Sequence, residues 1–597
     1  MVTVPSRDEV PERYRWDLGR LFESPEDWDA EYDAVAGRVE TLADRADALA
    51  ESDLDGEALA AALSLRDELN RRRDVLWLCA RLHVLQDTTD EDWRGRLSRY
   101  HSLKAEVDEA ASAIEPAVQA AGRERVESLV ASHDDLAQYD HLLDDVLRRA
   151  DHTRSPGVER VLSQLQPSVE APRRFLRTLK NRDFDPPTVE TPDGEQRTVT
   201  AQTRERLLAH PDRAFRRRVY EAYDEALARN RHAHAQGFVD HLRSHARRAA
   251  VRNYDDALAM ALGGTLPREV YDALAPTVRE NLDPYHRRFD LLADHDGIEN
   301  VRPWDVQRPL VDGERPEIPY DEAADLILAA VEPLSEAYQR RVRRILEADR
   351  VDVYETEHKQ TEMKGASFAV PGGGPFVHLN YHDDLESLFL FAHELGHAVH
   401  QSLAAEAQPT VYGELPDHLG EIPSYCHETL LVEHLLATRG PAFRAHLVDA
   451  WLSHLSLFRA ARWLTFVESV YDLLDDGEEP GADRLDDLYG EVEAEFRPVA
   501  PDGPARRAWM RQALGRRPFA GYLYVLGISG GIAVARRLRE GDLDPDAYRD
   551  FLSAGTSEYP VDLLARLDLD FASGDPVQRA VGVYGNFVDE LADVDGE

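Results

Sequence analysis

Two histidines and a glutamate lie within the five consecutive residues His393-Glu394-Leu395-Gly396-His397. Residues four apart on an α-helix are separated by roughly 6 Å along the axis and about 40° around it, so both imidazoles can bind one metal ion. Glu394 then lies beside that ion, where its carboxylate can accept a proton from a water molecule. The spacing therefore indicates the metal-and-base arrangement of hydrolytic zinc sites.

The residues around this pentad predict the helix that the arrangement requires. The run Asp383-Asp384-Leu385-Glu386 is the expected N-cap with a capping-box acid, and apolar residues recur at helical spacing through the pentad. No proline follows until Pro409, so the predicted zinc helix covers about 384–405. The alternative is a solvated helix face with two incidental histidines, and the apolar run around the pentad argues against it.

A catalytic zinc ion usually has three protein ligands and one open position, so a third ligand is expected downstream. A second amphipathic helix is predicted there, with Glu421 in its first turn. The side chains able to coordinate are Glu421, Glu428, His427, His400 and Cys426. His400 lies roughly 10 Å along the helix from His393, too far to share the ion, and Cys426 is interpreted as a buried thiol. Composition alone does not choose between Glu421 and Glu428.

The pentad and its continuation to Gln401 resemble the signature of the thimet oligopeptidase and oligoendopeptidase F metallopeptidases. Further blocks resemble the same family in the same order: Tyr14 to Leu18, Tyr254 to Leu258, Pro267 to Tyr271, Lys364 to Ser367, Phe376 to Phe389, and Phe551 to Ser557. The resemblance extends over almost the whole chain. It implies a zinc oligoendopeptidase whose helical lobes enclose a channel that admits short peptides and excludes folded proteins.

The resemblance also implies roles for particular residues. The family's third zinc ligand opens a Glu-x-x-Ser segment, which matches Glu421 to Ser424 here, so the implied ligands are His393, His397 and Glu421 for one Zn²⁺ ion. Glu394 is the implied general base, which takes a proton from the attacking water and passes it to the leaving amine.

In this family a histidine and tyrosines near the C-terminus stabilise the developing oxyanion. Tyr522 and Tyr524 match those tyrosines; Tyr522 is the predicted oxyanion donor, and Tyr524 either binds substrate or packs. No histidine occurs from Leu514 to Pro518. Either Arg516 or Arg517 donates hydrogen bonds in its place, or both are surface residues.

The missing histidine leaves a second hypothesis open, in which the chain is a catalytically impaired homologue that binds peptides without cutting them. A zinc aminopeptidase, which would need substrates with free N-termini, is a third hypothesis.

Upstream of the zinc helix, residues 367–370 and 376–380 predict two short strands around a run of three glycines between Pro371 and Pro375. A strand beside the zinc helix can pair with an extended peptide through main-chain hydrogen bonds. The glycine run, centred on Gly373, is interpreted as a mobile flap that binds substrate. An ordinary hairpin loop is the alternative.

Composition indicates the environment of the protein. The chain has 113 Asp and Glu against 70 Lys and Arg, a formal net charge of -43 at pH 7, and lysine occurs only at positions 104, 180, 359 and 364. Excess acid with scarce lysine is typical of proteins kept soluble in concentrated salt, where self-repulsion is screened. A halophilic cytoplasm is therefore predicted. Nucleic acids and anionic membranes are excluded as partners because both would be repelled.

Only Cys79 and Cys426 are present, so no disulfide framework is expected and a reducing compartment fits. We expect neither a signal peptide nor a membrane span, because no apolar run has the length of either. Short peptides are the expected partners, and the oligomeric state is not predicted.

Helical periodicity across the 597 residues, together with the resemblance, predicts a mostly α fold of the zincin type. Helical lobes are expected around a substrate channel, with a small β-sheet beside the zinc helix. The predicted N-terminal helical region covers 1–200 and ends in a small hairpin at the Asp193-Gly194 turn. The predicted catalytic region covers 201–597, with further strands near Trp304.

Overall fold

A computed structural model of the protein describes residues 4–50, 54–512 and 517–594. In those ranges the chain is predominantly helical with a few short strands, which confirms the predicted mostly α fold class. The first helices are α1 (Pro25–Ala36), α2 (Val39–Ala50), α3 (Gly56–Gln86), α4 (Glu91–Ala110), α5 (Ile114–Ala121), α6 (Arg123–Ser132), α7 (Asp134–Ala137), α8 (Asp140–Arg148), α9 (Pro156–Val169) and α10 (Ala171–Asn181). They are followed by α11 (Ala201–Leu208), α12 (Arg213–Ala228), α13 (Arg231–Val251), α14 (Ala257–Leu262), α15 (Arg268–Glu280), α16 (Asp283–Asp296), α17 (Tyr320–Ala330), α18 (Glu336–Glu347), α19 (Leu385–Ala407) and α20 (Glu421–Thr438). The last are α21 (Pro441–His454), α22 (Leu457–Asp475), α23 (Ala482–Phe496), α24 (Gly503–Arg506), α25 (Trp509–Gln512), α26 (Gly521–Glu540), α27 (Pro545–Ser553), α28 (Pro560–Arg566) and α29 (Asp575–Val594).

The strands form two small sheets. They are β1 (Thr188–Glu190), β2 (Gln196–Thr198), β3 (Val351–Asp352), β4 (Gly365–Phe368) and β5 (Phe376–Leu379). Short 3₁₀ helices cover Arg7–Glu9, Glu12–Tyr14, Leu18–Arg20, Arg149–His152, Glu332–Leu334 and Thr410–Tyr412. Among the described residues, no helix is both long enough and apolar enough to cross a bilayer.

The chain forms two compact units, each assembled from three segments. Unit 1 comprises Met1–Asp151, Pro316–Ala437 and Val534–Leu569; unit 2 comprises His152–Arg315, Thr438–Ala533 and Asp570–Glu597. The division predicted at residue 200 lies inside unit 2. Late segments pack back on earlier helices of their own unit: α27 packs on α19 in unit 1, and α29 packs on α16 and α21 in unit 2.

Each unit has its own apolar interior. In unit 1 the long helix α3 packs against α1, α2 and α4, and the buried Trp28 indole donates a hydrogen bond to the Leu76 carbonyl at 3.0 Å. In unit 2 the buried ring of Phe238 stacks on Phe466, with the ring centroids 5.9 Å apart. Apolar burial of this kind is the main favourable term in folding.

The predicted small sheet beside the zinc helix is confirmed. β5 is the buried central strand; it pairs antiparallel with β4 and parallel with β3. β4 begins at Gly365, two residues before the predicted start, and packs on α19. A Cβ on Gly365 would lie 3.0 Å from the Leu390 side chain of α19, so the glycine allows strand and helix to approach closely.

In unit 2, β1 and β2 pair antiparallel across the Asp193-Gly194 turn, where Gly194 adopts a φ of 87°.

The prediction of strands near Trp304 is wrong, because the described chain forms turns there. The Asp305 carboxylate accepts a hydrogen bond from the Arg302 backbone N–H at 2.9 Å and another from the buried Arg216 at 2.8 Å. The backbone itself is satisfied by turn hydrogen bonds, from the Asp305 N–H to the Arg302 carbonyl and from the Arg308 N–H to the Asp305 carbonyl, both at 2.8 Å, and needs no strand partner.

Candidate metal centre

The pentad lies in the middle of α19. The Asp384 side chain caps the helix by accepting a hydrogen bond from the Ser387 N–H at 2.8 Å. The expected capping box with Glu386 does not form, because Ser387 occupies the third helical position and Glu386 pairs instead with Lys364 at 2.6 Å. The result is a long uninterrupted helix that holds both histidine side chains on one face.

Gly396, between the two histidines, sets the distance between α19 and α20. A Cβ at this position would lie 2.7 Å from the Ser424 Cα and 2.8 Å from the Pro423 carbonyl oxygen, both backbone atoms of α20. Contacts this short do not occur in packed proteins, so only glycine permits the two helices to lie this close. The close approach brings the first residue of α20, Glu421, beside the histidines.

We expect the substitution Gly396→Ala to push α20 away from α19. The new methyl group meets backbone rather than a flexible side chain, so the cost is about 1–3 kcal/mol. The measurements are the thermal midpoint and the zinc content, both of which should fall.

The matched control is Gly95→Ala on α4, where a Cβ would meet nothing within 4 Å. Here the helix should gain about 0.5–1 kcal/mol, because alanine favours helix more than glycine does. If the thermal midpoint and the zinc content change in the same way in both variants, the close approach at Gly396 does not position the residues of the site.

Three side chains converge at this place. His393, His397 and Glu421 each offer one ligand atom, and these atoms all lie within 4.8 Å of one another. The Nε2 atoms of His393 and His397 lie 3.4 and 4.0 Å from Glu421 Oε2. Tetrahedral ligands about 2.1 Å from a zinc ion lie about 3.4 Å apart, so the residues fit such an ion. Within the described ranges, no other group of three or more His, Cys, Asp or Glu side chains has this geometry.

Glu428 has a different place from Glu421. Its Oε1 lies 2.6 Å from His393 Nδ1, and the carboxylate is fully buried. A carboxylate at this distance makes Nδ1 the protonated nitrogen and leaves the lone pair of Nε2 for a metal ion. Glu428 is therefore placed to orient His393. Because it lies seven residues after Glu421, on the same face of α20, the sequence spacing was a signal for this second role.

Burial and neighbouring charges define the electrostatics of the cluster. Burial lowers the pKa of His397 to about 4. Burial also opposes the charged form of His393, but hydrogen bonds to Glu421 and Glu428 raise its pKa well above the usual range. Carboxylates that attract a proton to this histidine attract a metal cation as well.

Glu394 lies beside the ligands and is almost fully buried. Burial raises the pKa of its carboxyl group to about 7, and the negative charges of Glu421 and Glu428 add to this increase. The charge of His393 and a hydrogen bond from the Ser367 backbone both act in the opposite direction and lower the pKa. Ser367 belongs to β4, so the strand and the candidate base are in direct contact.

The other candidate ligands of the sequence analysis lie outside the cluster. His400 is fully buried, its ring lies parallel to that of Phe551 with centroids 6.0 Å apart, and burial lowers its pKa to about 3. His427 Nε2 lies 2.7 Å from the Tyr338 hydroxyl group. Cys426 is fully buried, and burial raises the pKa of its thiol to about 12. None of these three side chains belongs to the group formed by His393, His397 and Glu421.

The glycine run at the β4–β5 turn is packed rather than projecting. The Arg350 guanidinium donates hydrogen bonds to the carbonyl oxygens of Gly373 at 3.3 Å and Pro375 at 3.2 Å. A Cβ on Gly373 would lie 2.7 Å from the Leu78 side chain of α3. This packing matches the ordinary hairpin loop and gives no support to a mobile flap, and substrate binding by Gly373 stays a prediction.

Tyr522 and Tyr524 lie in the first turn of α26, in unit 2. The Tyr522 ring is buried and meets Tyr271 edge to face, with centroids 5.8 Å apart, and Tyr524 is half-buried. Leu514 and Arg516 lie outside the described residues, and Arg517 is exposed. The oxyanion role of Tyr522, the substrate role of Tyr524 and the substitution of a histidine by arginine stay predictions.

The helix with the His-Glu-x-x-His spacing, the carboxylate from the next helix and the sheet edge against Glu394 together indicate a class of protein. Two histidines and a carboxylate, with a second carboxylate beside them, form the donor set typical of a metal-dependent hydrolase. β4 is the outer strand of its sheet in the described chain, which is the arrangement that lets an extended peptide pair with it.

Comparison with known proteins gives the family. A family description, Peptidase family M3, matches residues 206–583, and another, Oligopeptidase F, matches residues 118–185. The chain therefore belongs to peptidase family M3, which confirms the predicted family and the predicted enzyme class, a metallopeptidase.

Relatives match over nearly the whole length. Oligopeptidase PepF of Bacillus subtilis (strain 168) is 26% identical over 599 residues, covering 99% of this chain and 88% of that protein. Group B oligopeptidase PepB of Streptococcus agalactiae serotype III (strain NEM316) is 25% identical over 594 residues, covering 98% of both. The crystal structure of oligoendopeptidase-F from Enterococcus faecium has a TM-score of 0.73 at 22% identity, covering 96% of this chain and 99% of that one, and so shares the fold.

Proposed function

We propose that this protein is a zinc-dependent oligoendopeptidase that hydrolyses internal bonds of short peptides. The observation that carries the proposal is the convergence of His393, His397 and Glu421 on one point, with Glu394 buried beside them. One zinc ion per chain is expected from this single group of ligands. Relatives named as oligopeptidases over nearly the full length support short peptides as the substrate class.

When bound, zinc supplies Lewis-acid chemistry, which polarises a carbonyl group and acidifies water. Glu394 accepts the proton of the attacking water and donates it to the leaving amine nitrogen. The Ser367 backbone N–H holds the Glu394 carboxylate in place, and Glu428 holds the His393 ring through Nδ1, so that Nε2 would be the nitrogen that binds the ion. Each residue therefore has one task, defined by the atom that it contacts.

Substrate is held mainly through its backbone. β4 has one edge paired with β5, and an extended peptide adds to its other edge through main-chain hydrogen bonds. Bonding of this kind depends little on side chains, which suits an enzyme acting on peptides of mixed sequence. Tyr522 is proposed as the hydrogen-bond donor to the developing oxyanion.

An internally quenched peptide with both ends blocked tests the proposal. We expect cleavage at an internal bond in concentrated KCl, loss of cleavage after dialysis against a chelator, and recovery when stoichiometric zinc is returned. Binding without cleavage would favour the catalytically impaired homologue, for which the absent histidine near Tyr522 is the motivation. Cleavage restricted to peptides with free N-termini would favour an aminopeptidase. Either result contradicts the proposal.

We also propose that the protein works in the cytoplasm of a halophile. With a formal net charge of -43, the folded chain repels itself in dilute buffer, and salt near 1 M shortens the screening length to about 3 Å. The thermal midpoint should therefore rise on the order of 10 °C between about 0.1 and 2 M KCl.

Sucrose at matched osmolality is the control, because it favours compact states without screening charge. A thermal midpoint that responds equally to sucrose and KCl, or that falls with KCl, contradicts the halophile proposal.

A further inference from the structure

A groove on unit 1, separate from the metal cluster, is rich in arginine. It runs along α18, has a volume of about 560 Å³ and is partly open to solvent. Its apolar wall includes Leu403 of α19 and the buried Tyr338. The arginines that line it are Arg340, Arg341, Arg343, Arg344 and Arg549. We call this surface the arginine groove.

Three of these arginines have carboxylate partners. The ion pairs are Arg340–Glu336 at 2.9 Å, Arg341–Glu406 at 2.7 Å and Arg549–Asp546 at 2.7 Å. Arg343 and Arg344 are exposed, and in the described part of the chain neither forms an ion pair. Arg344 acts on Glu406 only at longer range, as one of the charges that lower the pKa of that carboxyl group, and the lining residue Glu347 forms no ion pair either.

Neighbouring arginines on α18 repel one another. Arg340 lies three and four residues before Arg343 and Arg344, and like charges at these spacings on a helix repel each other. The chain has 113 acidic residues against 70 basic ones, so carboxylates are plentiful, yet none pairs with Arg343 or Arg344. The positive charge at this end of α18 is thus available to a ligand.

We propose that the arginine groove binds a compact phosphate-type oxyanion. Guanidinium groups present planar forks of N–H donors that match the oxygens of phosphate, and charge-assisted bonds of this kind are the strongest of their class. The volume suits a small molecule. An extended polyanion is disfavoured, because the protein as a whole carries a formal charge of -43 and would repel it.

Hydrogen bonds connect α18, which lines the groove, to both helices that carry the proposed metal ligands. Arg341 donates a hydrogen bond to the Ser402 hydroxyl group of α19 at 2.6 Å. The Tyr338 hydroxyl group lies 2.7 Å from Nε2 of His427, which directly precedes Glu428 on α20. An oxyanion in the groove therefore contacts α18, which is hydrogen-bonded to both α19 and α20. The binding proposal itself does not depend on the proposed peptidase mechanism.

Isothermal titration calorimetry with inorganic phosphate, on the full-length zinc-loaded protein at constant KCl, tests this site. The double variant Arg343→Gln with Arg344→Gln should bind phosphate about tenfold more weakly than the unsubstituted protein, because two charge-assisted contacts are lost. The phosphate affinity of the double variant Arg343→Lys with Arg344→Lys should lie between those two values, since lysine keeps the charge but lacks the planar set of N–H donors of the guanidinium group.

The matched control is Arg247→Gln with Arg484→Gln. Both arginines are exposed helical residues of unit 2 that, in the described part of the chain, form no ion pair, so the same two charges are removed away from the groove. Phosphate affinity should stay within about twofold of the unsubstituted protein. The proposal is overturned if no heat of binding is seen, or if the groove variant and the control bind equally, since the second result places the anion elsewhere.

Discussion

Replacing Glu394 with glutamine lowers kcat for peptide hydrolysis by about 10³-fold, because the variant has no carboxylate to carry the proton from water to the leaving amine. Glutamine has nearly the same shape, so the zinc content and the affinity for a peptide inhibitor should stay close to those of the unsubstituted protein. The measurements are kcat, elemental zinc and inhibitor Kd on the same preparations.

The matched control is Glu386→Gln, the same chemical change on the same helix. Glu386 is exposed and pairs with Lys364 rather than with the cluster, so kcat should change little. Equal activity of both variants would show that Glu394 is not the base. Loss of zinc from the Glu394 variant would mean that the residue is a ligand, which also contradicts the assigned role.

The second large effect is expected at Glu421, where glutamine replaces the carboxylate of one of the three proposed metal ligands. Glu428→Gln is the internal comparison, because this residue lies on the same helix and contacts His393 rather than the ion. Substituting such an outer carboxylate costs about 10- to 100-fold in metal affinity, and losing a ligand should cost much more. The measurement is zinc affinity by competition with a chromophoric chelator, with peptidase activity measured in parallel.

The decisive result is which of the two variants, Glu421→Gln or Glu428→Gln, loses more zinc affinity. If Glu428→Gln loses more zinc than Glu421→Gln, the roles of the two carboxylates are exchanged. The account would then need Glu428 as the ligand and Glu421 as the orienting group, which the distances from His393 and His397 do not favour.

Local spacing was enough to predict the part of the site that lies on one helix. His393, Glu394 and His397 are fixed relative to each other by the geometry of α19, so sequence alone gives their arrangement. Local spacing could not decide between Glu421 and Glu428, because both lie on one face of α20. Only the packing of α20 against α19 shows which carboxylate reaches the histidines. The family resemblance selected Glu421, and the geometry places it with the histidines.

Gly396 shows why the packing of α20 against α19 could not be predicted from the sequence. In the sequence it is one residue of an apolar spacer, and its function depends on the backbone of α20, which approaches to a distance that any Cβ would block. A contact of this kind is tertiary and leaves no local signal. The predicted strands near Trp304 failed because turn hydrogen bonds between Arg302, Asp305 and Arg308 satisfy the backbone there. The Asp305 carboxylate also accepts a hydrogen bond from Arg216, which is distant in the sequence.

The small sheet was predicted well because its strands carry a strong local pattern. Both strands lie where alternation and the glycine run place them, with β4 shifted by two residues. The packing of the glycine run could not be predicted in the same way, because it is held by Arg350 and Leu78, which lie outside the run in the sequence. Sequence composition likewise gave the net charge but not the concentration of arginine along α18.

Anomalous diffraction at the zinc edge, on crystals of the purified protein, shows directly whether these three residues bind a metal ion. We expect one anomalous peak per chain, about 2.0–2.2 Å from ligand atoms of His393, His397 and Glu421, with Glu394 close by and not coordinating. If the map has no peak at this place, or if other side chains hold the metal, the assigned metal centre is wrong.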